Sequence, residues 1–314
     1  MSSSPAKVNQ MSADVVLIAG PTASGKSALA LALAERLRAV IINADSMQVY
    51  SEIPILSARP TAAERAHALH ALYGHVSVHE RYSAGRYQAE AAAALAAART
   101  RGQLAIFVGG TGLYFDALTS GLSPIPAVPA QVRADLRARF HAMGRDAFWA
   151  QLERRDPATL AKLRPSDTQR ILRAAEVLEA TGRPLADWQA IPPQPVLSGL
   201  NAARFVISPA RDVLAQNIDR RFQSMLEQGA LEEARTLIGL DPTLPAAKAL
   251  GLPELWRFLA GEVSLETAAQ EAQTATKRYV KRQLTWFRKR MAVWKWLQNY
   301  EISNIISTID AYTS

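Results

Sequence analysis

Gly20-Pro21-Thr22-Ala23-Ser24-Gly25-Lys26-Ser27 stands between an apolar run, Asp14-Val15-Val16-Leu17-Ile18-Ala19, and an Ala- and Leu-rich stretch over residues 27–38. The octet fits the pattern G-x-x-x-x-G-K-[ST], with a strand reading before it and a helix reading after it. In that setting backbone N–H groups converge on phosphate oxygens, and the helix brings the positive end of its dipole to the same point. Lys26 reaches a terminal phosphate, and the Ser27 hydroxyl can ligate Mg²⁺. All eight residues are therefore candidates for holding a di- or triphosphate, ATP among them. The motif by itself does not choose which.

Outward from this loop, Ala39-Val40-Ile41-Ile42-Asn43-Ala44 and Leu104-Ala105-Ile106-Phe107-Val108 read as further buried strands, with an Ala-rich helix over residues 84–100 between them. Alternating strands and helices imply an α/β fold, a doubly wound parallel sheet built on the P-loop. The pattern changes after Gly121. Ser123-Pro124-Ile125-Pro126-Ala127-Val128-Pro129 and Ile191-Pro192-Pro193-Gln194-Pro195 are proline-rich connectors. Between them, residues 131–143, 145–154, 157–163 and 166–181 read as helices, the last capped by Ser166-Asp167. Arg204-Phe205-Val206-Ile207-Ser208 resumes strand character, and residues 212–299 read as helical. The expected organisation has a loose tail over residues 1–13 and a P-loop α/β core over residues 14–125 and 200–314. That core ends in a helical C-terminal segment, and a mostly helical insertion covers residues 126–199.

The 314 residues contain no cysteine, which excludes disulfides, thiolate metal sites and thiol nucleophiles. An apolar fraction of 49% fits a globular chain with a full core. The longest apolar runs fall far short of the ~20 residues of a membrane span, and the polar N-terminus lacks a signal-peptide core, so a cytoplasmic protein is expected. Lys and Arg outnumber Asp and Glu by 36 to 28, a formal net charge of +8. The excess is concentrated: residues 277–295 carry eight Lys or Arg and no acid. Such a segment suits either a polyanion or a solvated helix face. The five histidines form no metal-ligand pattern, and His67 and His70 read as part of a surface helix or turn.

ATPases built on this loop place an acid at the end of a later strand to hold Mg²⁺. Here the strand after residue 104 ends in Gly109-Gly110-Thr111-Gly112, small residues that let a ligand approach the backbone. The carboxylate follows the preceding strand instead, in Asn43-Ala44-Asp45-Ser46-Met47-Gln48. Strand C-termini carry the ligands of α/β sheets, so Asp45 is a candidate general base or holder of metal-bound water, as well as a cap for the next turn.

Five blocks now occur in order: residues 20–27, Asp45-Ser46-Met47-Gln48-Val49-Tyr50, Gly109-Gly110-Thr111-Gly112-Leu113-Tyr114, Asp167-Thr168-Gln169-Arg170-Ile171-Leu172-Arg173-Ala174 and Lys281-Arg282-Gln283-Leu284-Thr285-Trp286-Phe287. Together they resemble the tRNA dimethylallyltransferase (tRNA isopentenyltransferase) family over about residues 14–295. The resemblance implies transfer of a dimethylallyl group from dimethylallyl diphosphate to N6 of the adenosine at tRNA position 37, next to the anticodon. The loop would then hold a diphosphate leaving group with Mg²⁺, and Lys26 would stabilise its charge. Asp45 would accept the amine proton, and Thr111 matches a threonine placed near the target nucleotide. The resemblance also assigns tRNA contacts in the anticodon stem-loop to Asp45, Ser46, Met47, Gln48, Thr111, Arg133, Gln169, Arg170, Ile171, Leu172, Arg173, Lys281 and Arg282. Ile171, Leu172, Ala175 and Leu178 share a helical face that suits a local core, whereas Arg170 and Arg173 lie on another. In the basic segment the aromatics read as structural and several charges as facing tRNA. Arg220 and Arg221 are further candidates for the diphosphate. A monomer is expected.

The chain also departs from the family pattern. Leu56-Ser57-Ala58-Arg59-Pro60 stands where Gly-Thr-Ala-Lys-Pro is common, and His70-Ala71-Leu72 where His-His-Leu is usual. Lys248-Ala249-Leu250-Gly251-Leu252-Pro253-Glu254 contains an unexpected proline. Two alternatives use the same loop: a small-molecule or nucleotide kinase with the insertion as lid, and an RNA-binding ATPase.

Overall fold

The computed structural model describes residues 13–299 and 301–310. Apart from Ala13, the tail expected over residues 1–13 lies outside the described residues. Ala13 itself is buried in the core of the sheet, and Asp14 N–H donates to Asn201 O at 2.9 Å. The described residues form one six-stranded sheet: β1 (Val15–Ala19), β2 (Val40–Asn43), β3 (Leu69–Ala71), β4 (Ala105–Gly109), β5 (Ala202–Ile207) and β6 (Lys295–Leu297). The spatial order is β3-β2-β4-β1-β5-β6, with every pairing parallel. Parallel strands are covered on both faces, which explains the unbroken apolar runs of β1, β2 and β4.

Alternate residues separate the two faces. Val16 and Ile18 of β1, Ile106 and Val108 of β4, and Ala203, Phe205 and Ile207 of β5 point to one side. There they meet Leu29, Ala30 and Leu33 of helix Lys26–Leu37 and Ile305 and Ile309 of helix Ile302–Asp310. Each such buried aliphatic side chain contributes about 1.5–3 kcal/mol relative to exposure.

The structure differs from the sequence reading at short elements. His70 lies in β3, an edge strand of three partly exposed residues, rather than in a helix or turn. His67 ends helix Ala62–His67, whose start is a capping box between Thr61 and Glu64. The span expected to be helical to residue 299 is broken by β6. Edge strands this brief carry too few residues for a period to show.

The chain divides into two compact units, residues 1–119 with 196–314, and residues 120–195. Where the chain leaves and re-enters the larger unit, Leu197 N–H donates to Leu118 O at 3.0 Å. The smaller unit is helical: Ala130–Met143, Arg145–Arg155, Pro157–Leu160, Thr168–Thr181 and Leu185–Gln189. Its own core holds Leu136, Phe148, Leu152, Leu160, Ile171 and Val177. Asp167 caps the fourth of these helices by accepting from Arg170 N–H at 3.2 Å.

Two departures from the family pattern have simple local accounts. In the stretch 56–60 the left-handed backbone falls on Ala58 (φ 48°), not on Leu56, so Leu56 needs no glycine freedom. Leu56 is buried, and its N–H donates to Glu233 Oε1 at 2.8 Å. Pro253 sits in the first turn of helix Leu252–Leu259, where a missing N–H costs nothing.

At the end of β4, a β-carbon on Gly109 would stand 2.0 Å from Ala44 O. Gly109→Ala must therefore push the β2 and β4 ends apart. We expect a loss of about 1–3 kcal/mol of stability, read as a lower melting temperature by circular dichroism.

Candidate active site

The loop after β1 turns on two left-handed residues, Ala23 (φ 65°) and Gly25 (φ 84°). Alanine in that region is strained, and Asn217 holds it there by donating Nδ2 to Ala23 O at 3.1 Å. Gly25, with no side chain to cap helix Lys26–Leu37, leaves the first-turn N–H groups open to an anion. Gly20 has no room for a β-carbon, which would stand 2.7 Å from Ser24 Oγ and 2.9 Å from Ile207 O. Lys26 folds back over the loop, its Nζ donating to Pro21 O at 3.1 Å. Ser27 is exposed on the first turn.

Two further strand ends face this loop. Beyond β2, Asn43 Oδ1 accepts from Asp45 N–H at 2.8 Å, while its Nδ2 donates to Asp45 O at 2.9 Å and Leu72 O at 3.0 Å. Asp45 Oδ1 accepts from Met47 N–H at 2.9 Å. One carboxylate oxygen thus serves as the turn cap anticipated for Asp45. Oδ2 faces Gly110, 3.2 Å from where a β-carbon would stand. Beyond β4, Thr111 Oγ1 accepts from Ser46 N–H at 2.9 Å and donates to Ser46 Oγ at 3.2 Å. Thr111 therefore fixes the Asp45–Ser46 turn to the end of β4. Gln48 donates Nε2 to Ser57 O at 3.1 Å and Ala58 O at 2.8 Å, which sets the orientation of its amide.

The electrostatics centre on Asp45. Loss of hydration pushes the Lys26 pKa down to about 8; the Asp45 charge opposes that shift and Arg221 adds to it. Arg221 is likewise lowered by burial and partly restored by Asp45. Tyr73, Tyr114 and Tyr279 are all raised, first by burial, and the Asp45 charge adds to the rise in each. Two cations and three neutral phenols therefore share the field of one carboxylate. Of the two arginines singled out in sequence, Arg221 joins this group. Arg220 is exposed and donates to Asn217 Oδ1 at 2.6 Å.

Helix Leu265–Arg290 supplies residues the sequence reading missed. Gln283 is buried, accepts from Thr22 N–H at 3.0 Å and donates to Gly110 O at 2.8 Å. Phe287 is fully buried, as expected for a structural aromatic. Trp286 is partly exposed and covers Gly112, where a β-carbon would fall 2.2 Å from its ring. Lys281 and Arg282 are exposed, Arg282 lying 5.5 Å from the centre of the Tyr279 ring. Lys277, Lys281 and Arg288 share one face, as their spacing requires, and with Arg211 they line a groove of about 330 Å³. Val280 and Leu284 lie on its floor.

In the helical unit, Gln169 and Arg170 are exposed, and Arg170 pairs with Asp167 at 3.2 Å. Arg133 and Arg173 both approach Glu176, at 3.8 and 3.7 Å. The side chain of Ile171 is fully buried in the unit's own core, as its helical spacing suggested. Leu172 packs against the same core.

The glycine-rich loop and the parallel sheet beneath it make this a P-loop protein. Within that class the comparisons are specific. The family model described as IPP transferase matches residues 48–290. The chain is 50% identical over 307 residues to a tRNA dimethylallyltransferase of Nitrobacter hamburgensis, with 97% of each chain covered. It is 55% identical over 282 residues to one of Parvibaculum lavamentivorans, with 89% of each covered. Among solved structures, the tRNA isopentenylpyrophosphate transferase of Bacillus halodurans superposes with a TM-score of 0.67 at 31% identity over 94% of both chains. A eukaryotic dimethylallyltransferase acting on tRNA gives 0.73 at 28% identity, over 87% of this chain and 69% of that one. The chain belongs to the IPP transferase family.

The low Lys26 pKa has a measurable consequence. Burial lets the Lys26 ammonium lose its proton near pH 8, below the ordinary 10.5. A bound diphosphate restores the charge, so binding at pH 8–9 takes up a proton. Titration calorimetry of inorganic diphosphate in buffers of different ionisation enthalpy should show that uptake as the difference between wild type and Lys26→Met, which cancels the ligand's own proton change. The sign for folding is the reverse of a salt bridge. A lowered lysine pKa costs stability below pH 8, and the cost is relieved as pH rises towards 10.5.

Proposed function

We propose that the chain transfers a dimethylallyl group from dimethylallyl diphosphate to N6 of the adenosine at tRNA position 37, releasing diphosphate. The observation that carries this reading is Asp45: one oxygen is tied into its own turn, and the other faces the small Gly110 beside the phosphate loop. That arrangement offers a base next to a diphosphate site rather than a nucleotide-hydrolysing acid at the end of β4.

In this reaction the allylic C–O bond breaks, and its electron pair leaves with the diphosphate. Charge grows on the leaving group, so donors fixed in the loop bind the transition state more tightly than the substrate. Lys26, Arg221 and the open N–H groups of helix Lys26–Leu37 are those donors. The Ser24 hydroxyl is buried without a hydrogen-bond partner among the described residues, and a phosphate oxygen would satisfy it. The adenine N6 lone pair forms the new C–N bond at the cation-like allyl carbon. Asp45 Oδ2 accepts the N6 proton, which spares a weakly nucleophilic aromatic amine from carrying positive charge. Thr111 keeps the Asp45 turn in place through Ser46.

The target base must leave its stack to reach this point, at a cost of a few kcal/mol. Ser46, Met47 and Gln48 follow Asp45 along the chain and would meet the flipped base. The exposed charges Lys281 and Arg282 suit phosphates of the anticodon stem-loop, as do Arg133, Gln169, Arg170 and Arg173 on the helical unit.

Among the described residues no cluster of three His, Cys, Asp or Glu could hold a metal by itself. Mg²⁺ fits the loop in another way, since it takes one or two protein oxygens and completes its shell with phosphate and water. The exposed Ser27 hydroxyl, on the first turn of the helix after the loop, would be the protein oxygen that holds it, and a Mg²⁺ bound there would neutralise leaving-group charge. No helix among the described residues is long and apolar enough to cross a membrane. We place the activity in the cytoplasm, carried out by a monomer.

Unmodified tRNA incubated with the protein, Mg²⁺ and dimethylallyl diphosphate, then digested to nucleosides and weighed by mass spectrometry, should yield prenylated adenosine. Asp45→Ala should lower the rate by about 10²–10⁴-fold, the range for loss of a general base. Equal rates would remove Asp45 from that role. ATP consumption without prenylation would overturn the transferase reading.

A further inference from the structure

We infer that Gln283 is a positioning residue that sets the phosphate loop against the ends of β2 and β4, through the pair of hydrogen bonds joining Thr22 N–H, the Gln283 amide and Gly110 O. This rests on the transferase reading above. The three residues are far apart in sequence, separated by 261 and 173 positions. The contact therefore exists only because helix Leu265–Arg290 packs across the strand ends.

The chemistry of the contact is selective. Thr22 N–H needs an acceptor, and Gly110 O, 2.8 Å from Gln283 Nε2, needs a donor. A carboxamide supplies both from one planar group, an ionised carboxylate only accepts, and an aliphatic side chain does neither. The side chain is 5% exposed, so water is a poor substitute for either bond. Gly110 is part of the device: a β-carbon there would fall 2.4 Å from Gln283 Nε2 and 3.2 Å from Asp45 Oδ2. Glycine leaves the space that the amide and the carboxylate both approach.

The span thus ties the loop that binds the leaving group to the strand end that carries Thr111. Its length sets the distance between diphosphate and base. Misplacement of reacting groups by about 1 Å can cost on the order of 10²-fold in rate. Gln283 also lies on the helix whose outer face bears Lys281 and Arg282. One face of that helix is turned to solvent while the other holds the loop.

The test compares wild type with Gln283→Leu, Gln283→Glu and the double variant Lys281→Ala/Arg282→Ala, varying both substrates in steady-state kinetics. Loss of one or both buried hydrogen bonds should raise KM for dimethylallyl diphosphate about tenfold and lower kcat. KM for tRNA should move less than about threefold. The Lys281→Ala/Arg282→Ala variant should show the opposite split. Gln283→Glu adds a pH signature. As pH falls from 8 to 6 the buried carboxyl regains a proton and can donate to Gly110 O again, so its diphosphate defect relative to wild type should shrink.

Calorimetric titration with inorganic diphosphate alone should show the same tenfold loss for Gln283→Leu and Gln283→Glu. Because it needs no turnover, it judges Gln283 even where wild type transfers no prenyl group, an outcome that would sink the transferase reading instead. Unchanged diphosphate affinity and KM in either folded variant would overturn the inference. So would equal rises in both KM values, or a lower melting temperature with both affinities intact. If Gln283→Leu does not fold, Gln283→Glu, of the same shape, carries the test.

Discussion

Parallel pairing brings three strand ends to one edge of the sheet, and the chemistry of the larger unit hangs from them. Ala19 of β1 is level with Gly109 of β4, and Asn43 of β2 with Val108. The residues that follow, Gly20, Gly110 and Ala44, are therefore neighbours before any side chain is considered. Backbone bonds continue the pairing past the strands: Gly20 N–H donates to Gly109 O, Ala44 N–H to Val108 O and Thr111 N–H to Ala44 O. Glycines at 109, 110 and 112 are the condition for this crowding, since side chains there would strike Ala44, Gln283 and Trp286.

Into that edge the chain places one carboxylate and two cations, all three only partly exposed. Burial lowers the Lys26 pKa, and the Asp45 charge opposes that shift. A site of this kind suits an anion, because a diphosphate adds its counter-charge to that of Asp45. The cost of assembling it is met by the aliphatic core beneath, where β1, β4 and β5 bury one face against helix Lys26–Leu37.

What the sequence made legible was local. The phosphate loop declares itself in eight consecutive residues, and Asp45 stands out because it directly follows an apolar strand. Helices with side-chain caps, such as those begun by Ser83, Asp167 and Ser264, follow periodic patterns closely. What escaped was set by packing across long separations. Gln283 looks like one polar residue in a basic helix until the fold carries it to Thr22, and Tyr73 and Tyr279 gave no signal of approaching Asp45. Ile171 shows the converse: it sits within a block attributed to RNA contact, yet its helical spacing with Ala174, Ala175 and Leu178 takes it to the core. Leu56, where the family commonly has glycine, needs no glycine freedom, since the left-handed residue lies two positions later.

The outermost strands of the sheet have a consequence for how such molecules coexist at high concentration. β3 and β6 are each three residues long, against five or six for β1, β4 and β5. A free sheet margin is a template for another chain in proportion to its length. On β6 the long side chain of Lys295 stands at that margin and bonds Thr308 Oγ1. The sheet is thus long in the middle, where order is needed, and brief at its rims, where a longer ladder would invite polymerisation.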